Sequence, residues 1–130
     1  MTGLGWLAIA LGGALGAMAR FAMSHQVYQW LGRDFAWGTL SVNALGSFIM
    51  GLVAVLMIDK FALSIEWRAF VMVGFLGAFT TFSSFSFETM QYIQTGEMHK
   101  AAFNIALSVL ATLLAVWLGL LVGRQFLTQT

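Results

Sequence analysis

Charged side chains fall at long intervals along this chain and leave four apolar stretches between them. The first covers residues 1–19 and continues, less apolar beyond Arg20, to Leu31. The second, 35–58, runs 24 residues without a charge; the third, 69–87, runs 19; the fourth, 101–123, runs 23. A helix needs about 20 consecutive apolar residues to cross the hydrocarbon of a bilayer. The connectors Gly32-Arg33-Asp34, Asp59-Lys60 with Ser64-Ile65-Glu66, and Thr95-Gly96-Glu97-Met98-His99-Lys100 are short, polar and suited to turns. The pattern therefore predicts one transmembrane domain over 1–130, with helices at 3–31, 38–58, 66–95 and 99–125. The apolar runs are continuous and lack the period-two alternation of a membrane β-barrel. The first stretch has neither a basic leader nor a small-residue cleavage site, so it is expected to be a retained helix.

Composition agrees. Apolar residues make up 60% of the chain, and only six basic and five acidic side chains are spread over 130 residues. That is too little polar surface to coat a water-exposed globule. A net charge of +1 offers no clustered basic face for nucleic acid. The absence of cysteine removes disulfides, thiolate nucleophiles and thiolate metal sites. With four crossings, Lys60, Arg68 and Arg124 lie near one membrane face, and Arg20, Arg33 and Lys100 near the other. Three against three leaves the positive-inside rule nothing to decide. The expectation is a chain that inserts in both orientations and pairs antiparallel; the alternative is a single topology set by the terminal amine or by lipid.

Polar residues within the spans are the functional pointers. Thr39, Asn43, Ser47 and Gly51 recur every fourth residue in the second span, as do Asn104, Ser108 and Thr112 in the fourth; Gly12, Gly16 and Arg20 do so in the first. Small-residue stripes let helices approach closely, and hydroxyls and amides bond across the contact. Packing accounts for the glycines, while Asn43 and Asn104 stand open between packing and function.

The third span departs furthest from ordinary helix chemistry. It reads Gly74-Phe75-Leu76-Gly77-Ala78-Phe79-Thr80-Thr81-Phe82-Ser83-Ser84-Phe85-Ser86-Phe87-Glu88. These are mostly mediocre to poor helix formers, and the hydroxyls compete for backbone groups. A break near 77–81 would expose carbonyls that suit alkali cations and amides that suit anions; a continuous, tightly packed helix is the other reading. From Thr81 onward Phe82, Phe85, Ser86 and Thr89 fall on one face, flanked by Thr81, Ser84 and Glu88. Phenyl edges carry partial positive charge and hydroxyl protons can turn toward an anion, so this face suits a small hard anion. A stacked aromatic core is the competing account.

These residues resemble a known family. Gly12, Gly16 and Arg20, then Trp37-Gly38-Thr39-Leu40-Ser41-Val42-Asn43, then the third-span motif look like the Fluc fluoride channels, also called the CrcB family, in order and over essentially the whole chain. The resemblance implies an all-α membrane protein with a broken third helix and an antiparallel, dual-topology homodimer in the bacterial inner membrane. It implies passive export of fluoride through two pores. By resemblance, Asn43 supplies an amide to the pore and Phe82 and Phe85 supply ring edges. Ser83, Ser84, Ser86 and Thr89 lie in or beside a hydroxyl track with Glu88 near its end. Ser108 and Thr112 face the ion path, and Arg20 makes the vestibule attractive to anions. Gly77 and Thr80 would hold a central, non-transported sodium ion through backbone oxygens. Ala78 stands where the family usually has glycine, Ser84 replaces a common threonine, and Asn104 stands where some members have tyrosine.

Two other classes compete. A small proton-coupled multidrug exporter needs a carboxylate at membrane depth, and the only one near it is Glu88. A non-transporting accessory subunit would explain the packing stripes and not the phenyl–hydroxyl face. An enzyme is not expected, since His25 and His99 lie near helix ends and no nucleophile–base constellation can be assembled from the remaining residues.

Overall fold

The computed structural model describes residues 1–129, and those residues form helices joined by short turns. Helix α1 spans Gly3–Leu31 and α2 spans Trp37–Lys60, its last turns wound in the wider π form over Val55–Lys60. Helix α3 runs without interruption through Ile65–Arg68, a π-wound segment Ala69–Leu76, and Gly77–Phe79. Helix α4 is Phe82–Gln94 and α5 is Met98–Thr128. Taken together, α3 and α4 make a span of 30 residues, and the four spans contain 29, 24, 30 and 31 residues. Even the shortest is about 36 Å long at 1.5 Å per residue, enough to cross about 30 Å of hydrocarbon. The chain is a multi-pass membrane protein.

The ends are set by local chemistry. The Thr2 hydroxyl oxygen accepts from Gly5 N–H at 3.3 Å to start α1, and the Ser64 hydroxyl oxygen accepts from Trp67 N–H at 3.4 Å to start α3. Gly32 and Gly96, with φ of 83° and 80°, turn the chain after α1 and α4 in a conformation that a side chain would strain. Helix α5 passes residue 125, where the charge pattern would end it, and Lys60 Nζ donates to the Phe126 carbonyl at 2.7 Å to cap this extension.

Lipid is as apolar as leucine, so helices in a bilayer gain little from hydrophobic burial and associate by close packing. Two helix pairs do this through reciprocal glycines. A methyl group on Gly12 or Gly16 of α1 would land on the carbonyl oxygens of Phe70 or Phe75 in the π-wound part of α3, and one on Gly74 would lie 2.8 Å from the Ile9 carbonyl. In the second pair, a methyl on Gly51 of α2 would meet the Val116 carbonyl, and one on Gly119 of α5 would meet that of Phe48. Helices α1 and α2 pack together as well, and α4 leans on α5. Phe35, in the turn before α2, closes one end of the bundle, with ring centroids 4.8 Å from Trp37, 5.3 Å from Phe103 and 6.1 Å from Tyr92.

Gly119→Ala is expected to lower stability by about 1–3 kcal/mol, the usual cost of overpacking a tight contact. Gly3→Ala, where the added methyl meets nothing within 4 Å, is expected to be neutral. Thermal midpoints of the two variants in detergent test this, and equal midpoints would remove the close-packing account.

Candidate functional site

Helical winding in the third span stops at Phe79. Thr80 (φ −86°, ψ 158°) and Thr81 (φ −152°, ψ 116°) are extended, and winding resumes at Phe82. Extended backbone at membrane depth needs partners for its polar groups, and Asn43 of α2 supplies two. Its Nδ2 donates to the Thr81 carbonyl at 2.9 Å, and Thr81 N–H donates to its Oδ1 at 2.7 Å. Thr81 also caps α4, its Oγ1 accepting from Ser84 N–H at 3.2 Å. Thr80 closes α3, giving its N–H and its hydroxyl to the Leu76 carbonyl at 3.1 and 3.0 Å. Gly46 of α2 leaves room for the Thr80 methyl.

These bonds release two carbonyls. In an unbroken helix Thr81 N–H would bond Gly77 O, and here it goes to Asn43. Ser84 N–H would bond Thr80 O, and here it goes to the Thr81 hydroxyl. The Gly77 and Thr80 carbonyls are thus each left without their helical N–H partner.

Two clefts flank the interruption, and Thr81 lines both. The larger, of about 380 Å³, is lined by Asn43, Ser47, Phe82, Phe85, Ser108 and Thr112, with Thr80 and apolar side chains completing the wall. No charged side chain lines it. The Phe82 and Phe85 rings stand 5.3 Å apart at 45°. The smaller cleft, of about 250 Å³, holds Arg20, Ser24, Thr39 and Ser84 beside Thr81.

Six of the site residues expected from sequence and resemblance therefore line one cleft, namely Asn43, Thr80, Phe82, Phe85, Ser108 and Thr112, whereas Arg20 and Ser84 meet in the other. Ser83 sits 3.2 Å from the Thr81 hydroxyl, and Ser86 donates to the Phe82 carbonyl at 2.9 Å on an exposed face; neither lines a cleft. Glu88 lines neither as well. Its Oε1 accepts from the Thr39 hydroxyl at 2.6 Å and from the Tyr28 hydroxyl at 3.4 Å, and its Oε2 is buried without a partner. Tyr28 went unnoticed in the sequence: it lies 60 positions from Glu88, and no local pattern joins them. Asn104 is buried behind the larger cleft. It donates from Nδ2 to the Thr89 hydroxyl oxygen at 3.0 Å and accepts at Oδ1 from the Ser108 hydroxyl at 3.3 Å.

The arrangement is that of an all-helical, multi-pass membrane protein with its polar groups gathered around an interruption in one span. The model of the family described as CrcB-like protein, camphor resistance (CrcB), matches residues 7–120, and the chain belongs to the CrcB family. It is 66% identical over 120 residues to the fluoride-specific ion channel FluC of Hydrogenovibrio crunogenus, covering 92% of this chain and 91% of that protein. It is 54% identical over 116 residues to the fluoride-specific ion channel FluC of Magnetococcus marinus, covering 89% and 94%. A Methylococcus capsulatus protein of the same name is 56% identical over 122 residues, and there the match spans 54% of the relative's length.

Asn43→Ala removes both partners of the Thr81 backbone. Two unpaired buried groups at ~1–3 kcal/mol each predict a loss of roughly 2–6 kcal/mol. Asn43→Asp is expected to fare little better, since a carboxylate turns an oxygen toward the Thr81 carbonyl. A drop in thermal midpoint for both variants checks the clamp; wild-type stability in either would mean that water takes the amide's place.

Proposed function

We propose that this chain is half of a passive fluoride channel in the bacterial plasma membrane, through which fluoride leaves the cytoplasm down its gradient. The observation that carries the reading is the uncharged lining of the larger cleft, where one amide, two phenyl rings and the hydroxyls of Ser47, Thr80, Thr81, Ser108 and Thr112 converge. A small hard anion gives up hydration only to groups that replace it, and amide protons, hydroxyls and positive ring edges can do so. A fixed cation in the path would bind the ion too well to release it, and conduction needs sites weak enough to leave. The names of the relatives in Hydrogenovibrio and Magnetococcus point to the same ion. In this reading the protein conducts and does not catalyse.

The channel is an antiparallel, dual-topology homodimer, and the third span is a broken helix at its centre. Gly77 and Ser83 are exposed on the single chain and Phe82 is 79% exposed, beside carbonyls released from helical bonding. Lipid cannot satisfy such groups, so protein must cover them. The balanced charges at the two faces permit an inverted second copy to do this. The Gly77 and Thr80 carbonyls fit a sodium ion there, because hard cations take oxygen ligands. Bound sodium supplies a fixed positive charge between the copies; it is structural and does not travel.

Individual roles follow from placement. Asn43 holds the interruption through Thr81 and retains a second amide proton for the cleft. Phe82 and Phe85 present ring edges, and Ser108 and Thr112 continue the path. Arg20 and Ser84 form an anion-attracting vestibule in the smaller cleft. Ser83, Ser86 and Glu88 belong to the flanking polar face, with Glu88 held by Thr39 and Tyr28.

Purified protein in liposomes is expected to release fluoride and retain chloride, as read with ion-selective electrodes. Release should stop when no counter-charge can move, and Phe82→Ile and Phe85→Ile should each slow it about tenfold, on the scale of one aromatic-edge interaction. No fluoride release from unaltered protein would refute the channel. Tags placed at either terminus should be accessible from both sides of the membrane, and one fixed orientation would end the antiparallel assembly.

A further inference from the structure

The hydroxyls near the larger cleft differ in where their protons go. Thr89 donates to the Phe85 carbonyl at 2.7 Å, Thr112 to the Ser108 carbonyl at 2.7 Å, and Ser86 to the Phe82 carbonyl at 2.9 Å. Each is the i−4 back-bond that a hydroxyl on a helix makes by default. Ser108 is different. Its proton goes to a side chain, Asn104 Oδ1, at 3.3 Å, well beyond the ~2.7–2.8 Å usual between oxygens.

The direction of this bond is fixed by a chain of donors. Because the Thr89 proton is committed to the Phe85 carbonyl, the Thr89 oxygen can only accept, which turns Asn104 Nδ2 toward it at 3.0 Å. Asn104 Oδ1 then faces Ser108, and Ser108 must be the donor. Asn104 is 1% exposed and does not line the cleft, whereas Ser108 does.

We infer that Asn104 is a positioning residue for anion passage: it draws the Ser108 hydroxyl off the helix backbone and holds its proton in a weak bond that an arriving anion can take over. Without the amide, Ser108 falls back on the carbonyl of residue 104, as its neighbours do on theirs, and its proton is withdrawn from the path. Thr89 acts one step further back by setting the orientation of the amide. This rests on the fluoride-path reading of the cleft.

Fluoride efflux from proteoliposomes, measured against internal fluoride concentration, tests it. Asn104→Leu should raise the half-saturating concentration roughly fivefold, the weight of one ordinary hydrogen bond, with the dimer intact by gel filtration. In a Ser108→Ala background the same replacement should have no effect, because its action runs through that hydroxyl. An unchanged or lowered half-saturation, or an equal shift in the Ser108→Ala background, would overturn the inference. A second measurement needs no change at residue 104. Carbon-13 asparagine labels only Asn43 and Asn104, and fluoride should move the Asn104 Cγ resonance in unaltered protein and leave it still in Ser108→Ala. A resonance that ignores fluoride, or moves equally in both, would count against it. Absence of any efflux from unaltered protein would instead strike the channel reading; normal efflux with a silent residue 104 strikes this inference alone.

Discussion

A helix can come apart inside a bilayer only if something other than water takes up the backbone groups it releases. Here one side chain does most of this. The Asn43 amide matches the donor and acceptor of Thr81 with a bond of its own to each, and the two extended residues, Thr80 and Thr81, stand on that pairing. The diversion of Thr81 N–H and Ser84 N–H from their helical acceptors, the freeing of the Gly77 and Thr80 carbonyls, and the opening of a cleft on either side of Thr81 all depend on it.

The clamp needs rigid surroundings, and the glycine contacts supply them. Helices α1 and α3 are locked where Gly12 and Gly16 meet the Phe70 and Phe75 carbonyls, and α2 and α5 where Gly51 and Gly119 meet the opposing backbone. Asn43 rides on one locked pair, and α3 leads into the interruption from the other. The amide and the backbone it clamps are thus held in register by the tightest contacts in the bundle. Helix α4 is tied differently, through hydroxyls and Asn104 to α5 and through Glu88 to Thr39 and Tyr28.

The larger cleft combines an uncharged lining with hydroxyls that are partly engaged inside the protein: Thr80 and Thr112 bond helix carbonyls and Ser108 bonds Asn104. In the proposed channel such a lining keeps anion binding shallow. A lining of free donors or a fixed cation would hold fluoride and stop its movement. In the proposed channel, the phenyl edges, the spare Asn43 amide proton and the loosely held Ser108 hydroxyl are what compensate fluoride for part of its lost hydration.

Much of the architecture was legible in the sequence. Charge spacing alone marked four spans, because bilayer thickness imposes a length that few other structures require. The i+4 stripes of glycine and of Asn43 and Ser108 were visible because helical periodicity is local. What could not be read was which polar groups would meet. Resemblance to the family offered Asn43 an amide role in a pore; only the folded chain turns that amide onto Thr81, 38 positions away. The sequence left Asn104 undecided between packing and function, and tertiary contact set it between Thr89 and Ser108. The helical wheel put Glu88 on the flank of the phenyl–hydroxyl face, and folding brought Thr39 and Tyr28 to it. Hydrophobic length and helical period are properties of a segment in its solvent and are written in neighbouring residues. A hydrogen bond between spans depends on the rotation and depth of two helices at once, and those are decided only when the helices pack.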